Sequence, residues 1–88
     1  MKKKYIVRLT EAERSTLESL IHKGKEAAYK RLHAEILLKA DISDAGGKWT
    51  DKQISIGFGV SQRTVERVRE RLVQQGLEAA LTPNMNAS

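Results

Sequence analysis

The sequence predicts an all-α domain of four helices with a short β-prone segment at its N-terminus. Three observations carry that prediction. Apolar residues recur at helical rather than alternating spacing. Helix-starting side chains and helix-stopping glycines bracket the same stretches. A single proline stands among 88 residues, of which 31% are charged and 40% hydrophobic. That composition suits one small helical domain.

The first element is the exception to the helical pattern. Residues 1–9 read as a basic arm followed by Tyr5-Ile6-Val7-Arg8-Leu9. As a strand, this run would set Tyr5, Val7 and Leu9 on one face, and it is too short to stand without docking. Thr10 then opens the first helix: Thr10 and Glu13 have the spacing of a reciprocal capping box. Leu17, Leu20 and Ile21 make its apolar stripe, and His22, Lys23 and Gly24 suit its C-terminal end.

The second helix is expected from Glu26 to Ala40. Ala28, Tyr29, Leu32, Ile36, Leu37 and Leu38 cover more than one stripe, as in a central helix, and Tyr29 is expected in the core. Asp41 to Lys48 reads as a loop. Thr50 and Gln53 form a second capping box, opening a short helix that stops near Gly57-Phe58-Gly59. Ser61 caps a fourth helix to Gln75. Gly76 is expected as a left-handed terminator, with Leu77 reaching Leu72, and Glu78 to Leu81 as an added turn. The domain is thus expected over residues 10–82, with 83–88 a frayed tail.

Asp51 to Glu70 carries the functional signal. Two helices joined by a three-residue turn need particular residues: Ile54 and Phe58 inward, a small Ser55 where the helices cross, and glycine at Gly59. Val60 plugs the turn, and Val65 and Val68 face inward from the second helix. With Ser61 as N-cap, these positions fit one register, that of a helix-turn-helix. Gln62, Arg63, Glu66, Arg67 and Arg69 are then left for solvent or ligand. Arg63, Arg67 and Arg71 lie four apart along one ridge.

Such a helix enters the major groove of DNA with its N-terminal residues leading. Arginine reads guanine bidentately and glutamine reads adenine, so Gln62, Arg63 and Arg67 are the candidate base readers. Ser61, Thr64, Lys52, Arg71, Thr50 and Lys48 are candidate phosphate contacts. The same charges also form ordinary i,i+3 and i,i+4 ion pairs on a solvated helix; the turn pattern tips the balance toward DNA. Lys2, Lys3 and Lys4 are either an arm for an adjacent minor groove or a solvated terminus. Trp49 is expected as a hydrophobic anchor rather than a base-stacking platform.

Other function classes find little support. The net charge of +5 favours a polyanionic partner, modestly. Without cysteine there is no disulfide or thiolate site. His22 and His33 lack partners at zinc-ligand spacing. No Ser/His/Asp set, phosphate loop or carboxylate cluster suggests catalysis. No apolar run approaches a membrane span, and Arg8 interrupts the apolar stretch that a signal peptide would need. The expectation is a non-catalytic DNA binder without cofactor, in the cytoplasm and on the nucleoid.

The ordered combination of segments also resembles a family. The β-prone Tyr5–Leu9 precedes Thr10-Glu11-Ala12-Glu13-Arg14. Next come Lys30-Arg31-Leu32-His33-Ala34-Glu35-Ile36-Leu37-Leu38-Lys39-Ala40-Asp41 and Thr50-Asp51-Lys52-Gln53-Ile54-Ser55. Gly59-Val60-Ser61-Gln62-Arg63-Thr64-Val65 and Gly76-Leu77-Glu78-Ala79-Ala80-Leu81 follow. Over residues 5–81 this is similar to the N-terminal domain of bacterial insertion-sequence transposases of the mariner-related superfamily. The resemblance implies a homeodomain-like helix-turn-helix domain that binds the terminal inverted repeats of a mobile element. In that family, the acidic, metal-dependent chemistry of DNA cutting sits in a separate downstream domain. A stand-alone transcriptional regulator, with a homodimer on a palindromic operator, and a protein-interaction module are the alternatives.

Overall fold

The computed structural model describes residues 5–24, 27–44 and 46–81. The chain runs α1 (Glu11–Lys23), α2 (Ala28–Ala40), α3 (Asp51–Phe58), α4 (Gln62–Gln75) and α5 (Leu77–Leu81). The fold is all-α, with five helices among the described residues rather than four: the turn expected after Gly76 is a helix of its own. Lys2, Lys3, Lys4, Glu26 and the tail from 83 lie outside the described residues.

The caps form as their residue types dictate. Thr10 Oγ1 accepts from the Glu13 N–H at 3.1 Å, and Glu13 Oε1 accepts from the Thr10 N–H at 2.9 Å. Thr50 and Gln53 repeat both bonds at 3.1 and 2.9 Å. Each box pairs two amide donors that a helix N-terminus otherwise leaves without partners. Gly24 ends α1 in the left-handed region. By contrast, α2 has Ala27 at its N-cap with no side-chain bond.

The second helix is central, packing against each of the other four. Ala34, Ile36, Leu37 and Ala40 are buried on it, and they meet Leu17 and Leu20 of α1, Ile54 of α3, and Val65 and Val68 of α4 in one core. Burying each of the larger side chains contributes about 1.5–3 kcal/mol. Tyr29, expected in this core, is 44% exposed. It stands in the first turn of α2, clear of the stripe defined by Ala34 and Leu37, with its ring edge toward His33.

The β-prone segment forms no strand among the described residues. Val7 and Leu9 are buried as alternation requires. The Val7 carbonyl accepts from the Ile42 N–H at 2.9 Å, and the Leu9 N–H donates to Asp41 Oδ1 at 3.1 Å. The segment therefore docks on the end of α2 as a brace.

Gly76 departs from expectation. Its φ is positive, but its ψ of 177° is extended rather than left-handed helical. Its N–H is shared between the Arg71 and Leu72 carbonyls, both at 3.1 Å. An extended turn here lets α5 begin at once, and the Ala80 N–H bonds the Gly76 carbonyl at 3.2 Å.

Candidate nucleic-acid interface

The inward positions expected of the two motif helices lie at the core. Ile54, Val65 and Val68 are buried, and Phe58 and Val60 pack against the same core. Gly59 is left-handed, with φ 68° and ψ 33°, a conformation that costs a side-chain-bearing residue roughly 1–2 kcal/mol. The Val60 N–H donates to the Ser55 carbonyl at 3.1 Å, and the Ser55 hydroxyl bonds the Val60 carbonyl in return. Ser55 thus does more than stay small: it ties the turn to α3.

Trp49 fastens α3 to α2. Its backbone N–H donates to the Lys39 carbonyl at 2.8 Å, its ring centroid lies 6.2 Å from that of Phe58, and Lys39 Nζ sits 4.9 Å from the ring centroid. The loop before it adds Gly47 N–H to the Leu38 carbonyl and Lys48 N–H to the Asp41 carbonyl. These bonds satisfy carbonyls that the end of α2 cannot pair internally. Lys48 itself takes φ 58°, a position its residue type did not announce.

Against this frame, Gln62, Arg63 and Arg67 are all exposed on α4. Neither the Arg63 nor the Arg67 guanidinium is hydrogen-bonded or ion-paired among the described residues. Ser61 accepts from the Thr64 N–H at 3.1 Å, and the two hydroxyls lie 3.0 Å apart. Their first commitment is to capping α4. Lys48, Thr50 and Lys52 are exposed around the start of α3. Arg71 is half-buried and donates to the Ala79 carbonyl of α5 at 3.3 Å.

Arg69 overturns its expected exposure. It is 4% exposed, and its guanidinium donates to the Tyr5 carbonyl and to the Asp51 carboxylate. It lies four residues after the buried Val65, on the inward stripe, and that spacing is the signal that would have found it. The clamp joins the N-terminal segment, the start of α3 and the middle of α4.

Asp41 is the other group that sequence reasoning missed. It is fully buried and accepts from the Leu9 N–H (3.1 Å), the Ser43 N–H (2.9 Å), the Ser43 hydroxyl (2.8 Å) and Arg14 (3.3 Å). Burial by itself would raise its carboxyl. The bonds from Ser43, Leu9 and Arg14 outweigh burial and hold it below the usual carboxylate value. Asp followed two residues later by Ser at a helix end is the spacing of a side-chain turn.

A groove of about 520 Å³ runs between α2 and α4, lined by Tyr29 and His33 on one wall and Thr64, Arg67, Glu70 and Arg71 on the other. His33 is half-buried there, with Nδ1 3.0 Å from the Ala80 carbonyl. Burial lowers its imidazole below the usual histidine value; the bond to Ala80 opposes that, and the Arg71 charge adds to it. Among the described residues, no group of three histidines, cysteines or carboxylates could hold a metal ion, and no helix is long and apolar enough to cross a membrane.

The arrangement offers hydrogen-bond donors and positive charge along one helix, braced by a buried ion-pair clamp. No protein-family model, curated protein or solved structure matches the chain.

Proposed function

We propose that this chain is a sequence-specific double-stranded DNA-binding domain of the homeodomain-like helix-turn-helix kind, with α4 as the recognition helix. The observation that carries the reading is the pair of exposed guanidiniums of Arg63 and Arg67, unpaired among the described residues, beside Gln62 at the start of a helix entered through the left-handed Gly59 turn. Unpaired arginines near a helix start are what a base reader in the major groove requires. Lys48, Thr50 and Lys52 supply backbone contacts beside it, fixing register without reading sequence.

In this reading the chain binds DNA and does not cut it, works without a cofactor, and resides with DNA in the cytoplasm. The resemblance over residues 5–81 makes the inverted-repeat ends of a mobile element the preferred target, with the domain serving a transposase. An operator read by a small regulator uses the same contacts.

Selection of binding sites from a random duplex library tests the reading. An enriched motif is expected, and Arg63→Ala should lose about 1–3 kcal/mol on it and relax one base preference. Absence of enrichment, or affinity indifferent to Arg63 and Arg67, would replace DNA reading with protein docking through this surface.

A further inference from the structure

The groove between α2 and α4 adjoins the base-reading face at Arg67 and has a composition that the core does not explain. Its α4 wall carries two guanidiniums, Arg67 and Arg71, against one carboxylate, Glu70. Its α2 wall sets the exposed Tyr29 ring edge-on to His33, with centroids 6.4 Å apart. Thr64 adds a hydroxyl. These are the donors that phosphoryl oxygens select, arginine forks above all.

The histidine is poised in a defined tautomer. A carbonyl only accepts, so the Ala80 contact requires the proton on Nδ1. Neutral His33 therefore leaves Nε2 as its acceptor, and a second proton arriving there leaves the bond to α5 intact. The charged groups along the groove are Arg67, Glu70 and Arg71 from α4, while α5 contributes the Ala80 carbonyl. Without a ligand, burial and Arg71 both oppose the imidazolium. An anion beside the ring reverses that balance.

We propose that this groove seats a backbone phosphate of the bound duplex, held by Arg71 and Tyr29 beside the base-reading Arg67, and that His33 takes up a proton as the phosphate enters. The proposal rests on the DNA-binding reading for its ligand, although the shared chemistry is that of any phosphoryl group. It makes DNA affinity rise as pH falls from 8 toward 6, because the protonated form binds better.

The test follows both histidine rings by NMR in the full chain, with His22, exposed on α1, as internal control. Three pH titrations are compared: protein alone, with inorganic phosphate, and with the selected duplex. The duplex is expected to raise the His33 midpoint by about one pH unit and leave His22 in place. Tyr29→Phe should weaken duplex binding several-fold, and His33→Gln should flatten its pH dependence. A duplex that binds through Arg63 while the His33 midpoint stays put overturns the proposal and spares the DNA reading. A shift with inorganic phosphate in a chain that binds no duplex keeps the phosphate seat and removes DNA as its source. No shift with either ligand removes the seat.

Discussion

Arg63 and Arg69 stand six residues apart on one helix and do opposite things. Arg63 is exposed and has no partner among the described residues, whereas Arg69 is buried on the Asp51 carboxylate and the Tyr5 carbonyl. Arg63→Ala should leave a denaturant midpoint within about 0.5 kcal/mol of wild type while weakening DNA binding. Arg69→Ala should do the reverse at first, destabilising the fold by about 2–4 kcal/mol, because Asp51 is left as a partly buried carboxylate without its partner. Arg69→Met should recover little of that loss, since methionine restores volume but not charge. Urea melts of the three variants decide it; an unchanged midpoint for Arg69→Ala would remove the clamp from the account of stability. The charge alone did not distinguish these two arginines, and both were expected on the outward face; their tertiary partners distinguish them. Arg69 falls on the Val65 stripe, and a charged residue on an apolar stripe signals a buried partner.

At the scale of elements, the capping residues and periodic stripes made α1, α3 and α4 legible, because their determinants lie within a few residues of one another. The start of α2 and the separate α5 were not legible in that way. Ala27 has no capping side chain, and α5 depends on the extended turn at Gly76 and on carbonyls held by His33 and Arg71. Two glycines sharpen the contrast between local and tertiary demands. At Gly59 an added Cβ meets nothing within 4 Å, so Gly59→Ala should cost about 1 kcal/mol, the strain of a left-handed backbone alone. At Gly46 an added Cβ would lie 2.0 Å from the Asp41 carbonyl oxygen, so the loop itself must move. Gly46→Ala should therefore cost more, about 2 kcal/mol or above, and thermal melts of the two variants should rank in that order.

For the whole molecule, the half-buried His33 and the buried Asp41 make stability depend on pH. His33 is held below 6.5, so the unfolded chain takes that proton first and stability falls as pH drops through this window. Asp41 is held below 3.8, so its contribution is present above that value and is lost as pH falls through its lower folded value. Melting temperature should thus be flat above neutrality, decline modestly below pH 6.5, and decline again in strong acid. His33→Gln should remove the first step alone. The surface charge of the molecule is tested through salt. Lys52→Ala should weaken binding evenly across DNA sequences and reduce the slope of log affinity against log salt by about 1. A slope equal to wild type would take Lys52 out of the interface.

The sequence by itself determined the all-α class, two capping boxes, the buried face of the motif helices and the left-handed turn at Gly59. Each of these follows from residues close together along the chain. The tertiary structure alone decided that Arg69 and Asp41 are buried, that Arg71 leans onto α5, that Tyr29 is exposed, and that Tyr29, His33, Arg67 and Arg71 share one groove. Those outcomes depend on where distant segments supply carbonyls, amide donors and apolar surface, as the Tyr5 carbonyl does for Arg69, 64 residues away, and the Leu9 N–H for Asp41, 32 residues away. Local pattern sets which way a helix faces; only the assembled partners set whether a charge on it can be buried.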